Sequence, residues 1–191
     1  MTATTDANGV ALFENVPIGT GYILEEKYTP DIYVIPEKQT VDVKANETVT
    51  ATMNNILKKW RADILKVDEE LSKNQSQGNA TLEGAVYGVY QNEELVKTYT
   101  TDKNGYFLTD YFPCGNEWTI KEISPSPGYL LDKTVYHMAA DAQFFTVELN
   151  TVYYECYEQV IKGNILNAKH SDIAPDGAEI DTPEKGAEFE V

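Results

Sequence analysis

The chain has 191 residues, enough for one or two domains with cores of their own, and its 42% hydrophobic content is that of an ordinary globular protein. A formal net charge of −16 argues against a nucleic-acid surface, which needs clustered Lys and Arg, and no apolar run approaches the roughly 18–20 residues of a membrane span. Two cysteines, Cys114 and Cys156, and two distant histidines, His137 and His170, leave no disulfide framework, no Cys-rich zinc site and no His-based active site to build.

In chain order, Asp6-Ala7-Asn8-Gly9 is a tight-turn signal, and Val10 to Phe13 reads as the strand leaving it. A second turn at Pro17-Ile18-Gly19 precedes the alternating Tyr22-Ile23-Leu24-Glu25-Glu26. Gln39 to Val43 and Glu47 to Met53 are expected to pair as a hairpin around Ala45-Asn46. Ile64-Leu65-Lys66-Val67-Asp68 is a strand with a lysine among aliphatic residues, where a charge is costly to bury. Thr101-Asp102-Lys103-Asn104-Gly105 gives another turn, then a strand from Tyr106 to Leu108 and a turn at Pro113-Cys114-Gly115. In Trp118-Thr119-Ile120-Lys121-Glu122 the alternation places Trp118, Ile120 and Glu122 on one face, so a carboxylate continues an apolar stripe. Gln143 to Leu149 and Val152 to Ile161 suggest another hairpin. Asp172 to Lys185, rich in Asp, Pro, Gly and Glu, reads as a linker or loose loop.

The chain repeats itself. Thr5-Asp6-Ala7-Asn8-Gly9 recurs at Thr101 to Gly105, and without a gap Pro17 matches Pro113, Tyr22 matches Trp118, Glu26 matches Glu122 and Tyr33 matches Tyr129. After an insertion, Asn55-Ile56-Leu57 returns as Asn164-Ile165-Leu166, and Gly84 to Val89 returns as Gly186 to Val191. This predicts an all-β protein with one complete copy and two partial ones: 1–57, the C-terminal part of a first domain; 60–167, a complete domain; and 168–191, a linker and the first strands of a third copy. Gly186 to Val191 is expected either to pair with the first-copy sheet or to lie free.

Leu65-Lys66-Val67-Asp68, Gly84 to Tyr90, Thr101-Asp102-x-Asn104-Gly105, Trp118-x-Ile120-x-Glu122 and Pro127-Gly128-Tyr129 occur in that order. Together they resemble the collagen-adhesin B-type (Cna-B, SpaA-like) repeat domains, the isopeptide-forming modules of Gram-positive pilins and surface adhesins. The resemblance implies a prealbumin-like, inverse immunoglobulin β-sandwich. It also implies a stalk or spacer role outside the cell, attached to the cell wall or surface, with neighbouring domains or pilin subunits as partners. Ile32 before Tyr33 and Cys114 in its turn depart from the pattern.

The resemblance further assigns Lys66 as nucleophile, Glu122 as catalyst and Asn164 as acceptor of an intramolecular amide. The chemistry is coherent. Only a neutral amine attacks an amide, and burial disfavours the charged forms of both an amine and a carboxyl. A protonated glutamate can then polarise the acceptor carbonyl and shuttle protons while ammonia leaves, and contact between the groups supplies the effective molarity. Such a bond forms once per molecule, so it is self-maturation and not enzymatic turnover. Glu26 and Asn55 hold the matching positions in the first copy, but no lysine strand precedes Thr2, and no amide is expected there. In the alternative reading, Lys66 snorkels to the surface, Glu122 is its ion-pair partner and Asn164 forms a turn.

Cys114 and Cys156 form either a disulfide or two buried thiols. A second function, a ligand-contacting adhesin module, is open through the aromatic-rich insertion at 130–157, with a host protein or glycan as partner. Neither a cofactor, a metal, a nucleic acid nor membrane insertion is expected. A hydrolase lacks a nucleophile–base pair.

Overall fold

A computed structural model describes residues 1–173, 179–183 and 185–191. The chain divides into two compact units, Met1–Val160 and Ile161–Val191. In the first unit the strands are β1 (Gly19–Leu24), β2 (Tyr33–Val34), β3 (Gln39–Val43), β4 (Ile56–Leu57), β5 (Lys59–Asp68), β6 (Val86–Gln91), β7 (Glu94–Thr100), β8 (Tyr106–Leu108), β9 (Phe112–Pro113), β10 (Trp118–Ser124), β11 (Tyr136–His137) and β12 (Leu149–Glu158). One short 3₁₀ turn, Ala142–Phe144, interrupts them. The second unit holds β13 (His170–Ile173) and β14 (Glu179–Pro183), paired antiparallel.

Two four-stranded sheets enclose the main core of the first unit. One has the order β11-β10-β6-β7; the other runs β12-β5-β8, with β9 also on β5. Alternation along β5 turns Trp60, Ala62, Ile64 and Lys66 inward, while its other face is only partly covered. Trp60 meets Trp118 edge-on with ring centroids 5.3 Å apart, and Phe112 lies 5.0 Å from Trp118. These rings, with Tyr87, Val89, Phe107 and Ile120, make one contiguous apolar cluster. A buried aromatic side chain contributes roughly 1.5–3 kcal/mol through area alone, so this cluster dominates the sandwich's stability.

The repeated turn folds alike in both copies. Asp102 Oδ1 accepts from the N–H of Asn104 at 2.8 Å and of Tyr106 at 3.0 Å, as Asp6 Oδ1 does from Asn8 at 2.8 Å and Val10 at 2.9 Å. Gly105 has φ +67°, and a Cβ there would stand 2.9 Å from Leu82 Cβ and 3.2 Å from Lys66 Cβ. Its carbonyl accepts from the Lys66 N–H at 2.8 Å, so the turn abuts the lysine strand directly.

Several expected pairings differ. Gln39–Val43 pairs with β1 and not with residues 47–53, which form no strand. Likewise β12 pairs parallel with β5, Leu149 on Lys59 through Glu158 on Asp68, and not with residues 143–149. Val10 to Phe13 forms no strand either: its second-copy counterpart β8 leans on β5, and within these residues the first copy has no strand equivalent to β5. The stretch expected as a loose loop, 172–185, contributes to β13 and β14; its residues 174–178 and 184 lie outside the described residues. Residues 187–191 form no strand.

Candidate functional site

Lys66 reaches the core because its position on β5 continues the inward row after Ile64. It is wholly buried, at 0% exposure. Its Nζ lies 3.2 Å from Glu122 Oε1 and 2.9 Å from Glu158 Oε2. The first contact is a hydrogen bond. The second is at ion-pair distance but off the hydrogen-bonding direction, so among the described residues Glu158 Oε2 has no hydrogen-bond partner.

Glu122 comes from β10, two residues beyond Ile120 on the same inward face. The Asp132 N–H donates to its Oε2 at 2.7 Å, which leaves Oε1 aimed at the lysine. Glu158 comes from the end of β12, where Cys156 and Glu158 follow each other inward. The Tyr87 hydroxyl donates to Glu158 Oε1 at 2.6 Å. Burial pushes the Glu158 carboxyl up to about 7, against the opposing pull of the Tyr87 hydrogen bond and the lysine charge. Burial likewise raises the Tyr87 hydroxyl far above its ordinary range.

Asp68 and Tyr129 complete the shell. The Tyr129 hydroxyl donates to Asp68 Oδ2 at 2.9 Å, and the face of its ring lies 5.1 Å from Lys66 Nζ. Burial opposes ionisation of Asp68. Hydrogen bonds from the Leu71 N–H, the Gln77 amide, the Tyr129 hydroxyl and the Glu70 N–H outweigh it and hold the carboxyl below its ordinary value. One lysine and two glutamates thus share a dry site walled by two tyrosines.

Of the residues singled out in the sequence, Lys66 and Glu122 are brought together, and so are Glu26 and Asn55 in the first repeat. The Asn55 side-chain amide donates to Glu26 Oε1 at 3.2 Å and to Thr29 Oγ1 at 2.8 Å. Asn164 is an exposed residue of the second unit. The disulfide expected as one option for Cys114 and Cys156 is not formed: both are free, buried thiols. Burial pushes Cys114 up to about 11 and Cys156 up to about 12. Glu158 was missed, although its signal is the one that revealed Glu122: a carboxylate ending the inward row Asn150, Val152, Tyr154, Cys156. Among the described residues no group of three His, Cys, Asp or Glu side chains is arranged to hold a metal ion, and no helix is long and apolar enough to cross a membrane.

Sandwich and site together define a nearly all-β structural domain of prealbumin-like fold. The chain belongs to the SpaA prealbumin-like fold domain family, whose model matches residues 1–57 and 68–153. It is 29% identical over 106 residues to the trypsin-resistant surface T6 protein of Streptococcus pyogenes serotype M6, covering 55% of this chain and 18% of that one. In fold it is similar to the Bacillus anthracis TIE protein, with a TM-score of 0.67, 24% identity, and coverage of 93% of this chain and 34% of that one. The solved T6 backbone pilin of the same Streptococcus is 28% identical, with a TM-score of 0.37 over 54% of this chain and 20% of that one. The chain therefore spans well under two thirds of each of these relatives. The family match agrees with the resemblance read from the motifs.

Proposed function

We propose that the chain is a stalk or spacer module of a Gram-positive surface pilin or adhesin, outside the cell and flanked by neighbouring domains or subunits. We further propose that Lys66 ties its first complete strand into the domain through one intramolecular amide. The observation that carries this reading is the wholly buried Lys66 amine in contact with Glu122. Sealing a lysine into a core costs several kcal/mol unless it is fully compensated, and a bond that consumes the charge removes that cost. Glu122, fixed by the Asp132 N–H, is the proton shuttle.

The repeat nominates Asn164 as acceptor, with ammonia leaving. For a closed loop of ~100 residues the chain-entropy argument gives roughly 4.7 kcal/mol of stabilisation. The acceptor's identity is separable from the function, because any amide between Lys66 and the end of the domain closes nearly the same loop. Intact mass of the denatured chain tests the reading. A folded wild-type chain is expected to be lighter than its sequence by one small leaving molecule, and Lys66→Ala and Glu122→Ala are expected to restore the full mass. A wild-type chain of full mass would overturn it.

The adhesin reading, with a host protein or glycan on the aromatics of 130–157, has less support. Tyr136, Phe145 and Tyr154 pack against the core, leaving Phe144, Tyr153 and Tyr157 exposed. Tyr153 and Tyr157 both donate to Glu155, at 2.9 and 2.7 Å, as a local surface network.

A further inference from the structure

The first repeat supplies a reference for the second. There β2 and β4 pair Tyr33 with Leu57 and Val34 with Ile56, and the residue just before β4, Asn55, meets Glu26. In the second repeat Tyr129, the counterpart of Tyr33, pairs with Val160, and the Leu130 N–H donates to the Gln159 carbonyl. Backbone register therefore sets Val160 on Leu57, Gln159 on Ile56 and Glu158 on Asn55. Matching letters put Asn164 in that seat; the hydrogen-bonded backbone puts Glu158 there.

We infer that Glu158 is the acceptor of the Lys66 amide, with the bond forming between Lys66 Nζ and Glu158 Cδ and water as the leaving molecule. This rests on the cross-link reading above and changes its acceptor and its chemistry. The geometry supports each step. Glu158 Oε2 is 2.9 Å from the amine and has no hydrogen-bond partner among the described residues, while Oε1 is held by the Tyr87 hydroxyl at 2.6 Å.

The neutral amine attacks Cδ of the protonated carboxyl, and negative charge develops on Oε1 facing the Tyr87 O–H. The Glu122 carboxylate takes one proton from the nitrogen and returns it to the departing Oε2 hydroxyl, which leaves as water. Amine plus carboxylic acid becomes amide plus water, and Glu122 ends as it began. Burial favours the neutral form of the Glu158 carboxyl, and exclusion of water favours the product. Lys66 makes one such bond, so Glu158 and Asn164 exclude each other as acceptors.

High-resolution intact mass of the full chain separates the cases. The wild-type chain is expected to be lighter by one water, to stay so in Asn164→Ala, and to yield a Lys66–Glu158 branched peptide on digestion. In the near-isosteric Glu158→Gln the leaving group becomes an amide nitrogen, so the deficit is expected to change from one water to one ammonia. A wild-type deficit of one ammonia that Asn164→Ala abolishes would overturn the Glu158 assignment and leave the cross-link standing. No deficit in a folded wild-type chain, with circular dichroism confirming the fold, would overturn both.

Discussion

The Tyr129 hydroxyl donates a 2.9 Å hydrogen bond to Asp68 Oδ2, while the face of the same ring lies 5.1 Å from Lys66 Nζ. Asp68 and Lys66 stand on one inward row of β5, so a single tyrosine braces two neighbouring charges. Removing the hydroxyl takes one donor from a buried carboxylate and leaves the ring in place. Tyr129→Phe is expected to cost about 1–3 kcal/mol, read as a lowered urea midpoint with an unchanged slope. An unchanged midpoint would mean that Asp68 does not depend on this bond.

Tyr129 is aimed by the glycine before it. Gly128 has φ +88°, and a Cβ there would lie 2.6 Å from Ala80 Cβ and 2.7 Å from Ala80 Cα. Neither the left-handed backbone nor the contact with a short, backbone-proximal side chain can relax cheaply. Gly128→Ala is expected to destabilise the chain by roughly 1–3 kcal/mol and to slow formation of the amide, followed by mass against time after refolding. Gly9→Ala, with φ +76° and nothing within 4 Å, faces only the backbone cost, and it should leave the amide's rate untouched.

The thiols give a direct check on packing. Cys114 and Cys156 are buried in the main core and raised by that burial, so neither offers a reactive thiolate at neutral pH. A thiol reagent is expected to find none in the folded chain and both after denaturation, without any reductant. Two thiols that appear only after reduction would mean a disulfide.

Two carboxyls move in opposite directions, and so do their pH dependences. In a variant that cannot close the amide, such as Glu122→Gln, Glu158 keeps its carboxyl. Burial, the largest cause of its rise above 4.5, persists in that variant, so it contributes stability that is complete below about pH 4.5 and lost as pH rises through its raised value. Asp68, held below 3.8, contributes stability present above its ordinary value and lost as pH falls through its depressed one. Urea midpoints of Glu122→Gln are expected to decline as pH rises above about 4.5, and adding Glu158→Gln should flatten that decline. A decline of equal size in the double variant would assign it to other groups.

The site was half legible in the sequence. Glu122 could be read because alternation is a local property: Trp118, Ile120 and Glu122 must share a face wherever that strand docks. The Asp-x-Asn-Gly turns could be read for the same reason, since Asp102 satisfies its own neighbours. Glu158 did not emerge from matching copies, because Asn55 and Asn164 share their letters, whereas the pairing of Tyr129 with Val160 and the Leu130–Gln159 hydrogen bond align Glu158 with Asn55. The misassigned hairpins share one cause. Adjacent strands in sequence look like partners, whereas β12 takes its hydrogen bonds from β5, some ninety residues earlier, and β3 takes its from β1. Crossovers between sheets leave no local mark on composition or spacing.

The parallel ladder of β5 and β12 bears on how the domain would respond to tension. Lys59 faces Leu149 at one end and Asp68 faces Glu158 at the other, so the chain runs into β5 at one edge of the ladder and out of β12 at the opposite edge. A load applied at those two points slides the strands lengthwise past each other. Every hydrogen bond between them is then stressed at once, instead of opening one by one as in a hairpin peeled from its tip. The geometry is that of a lap joint in shear, and rupture requires the whole row to fail together.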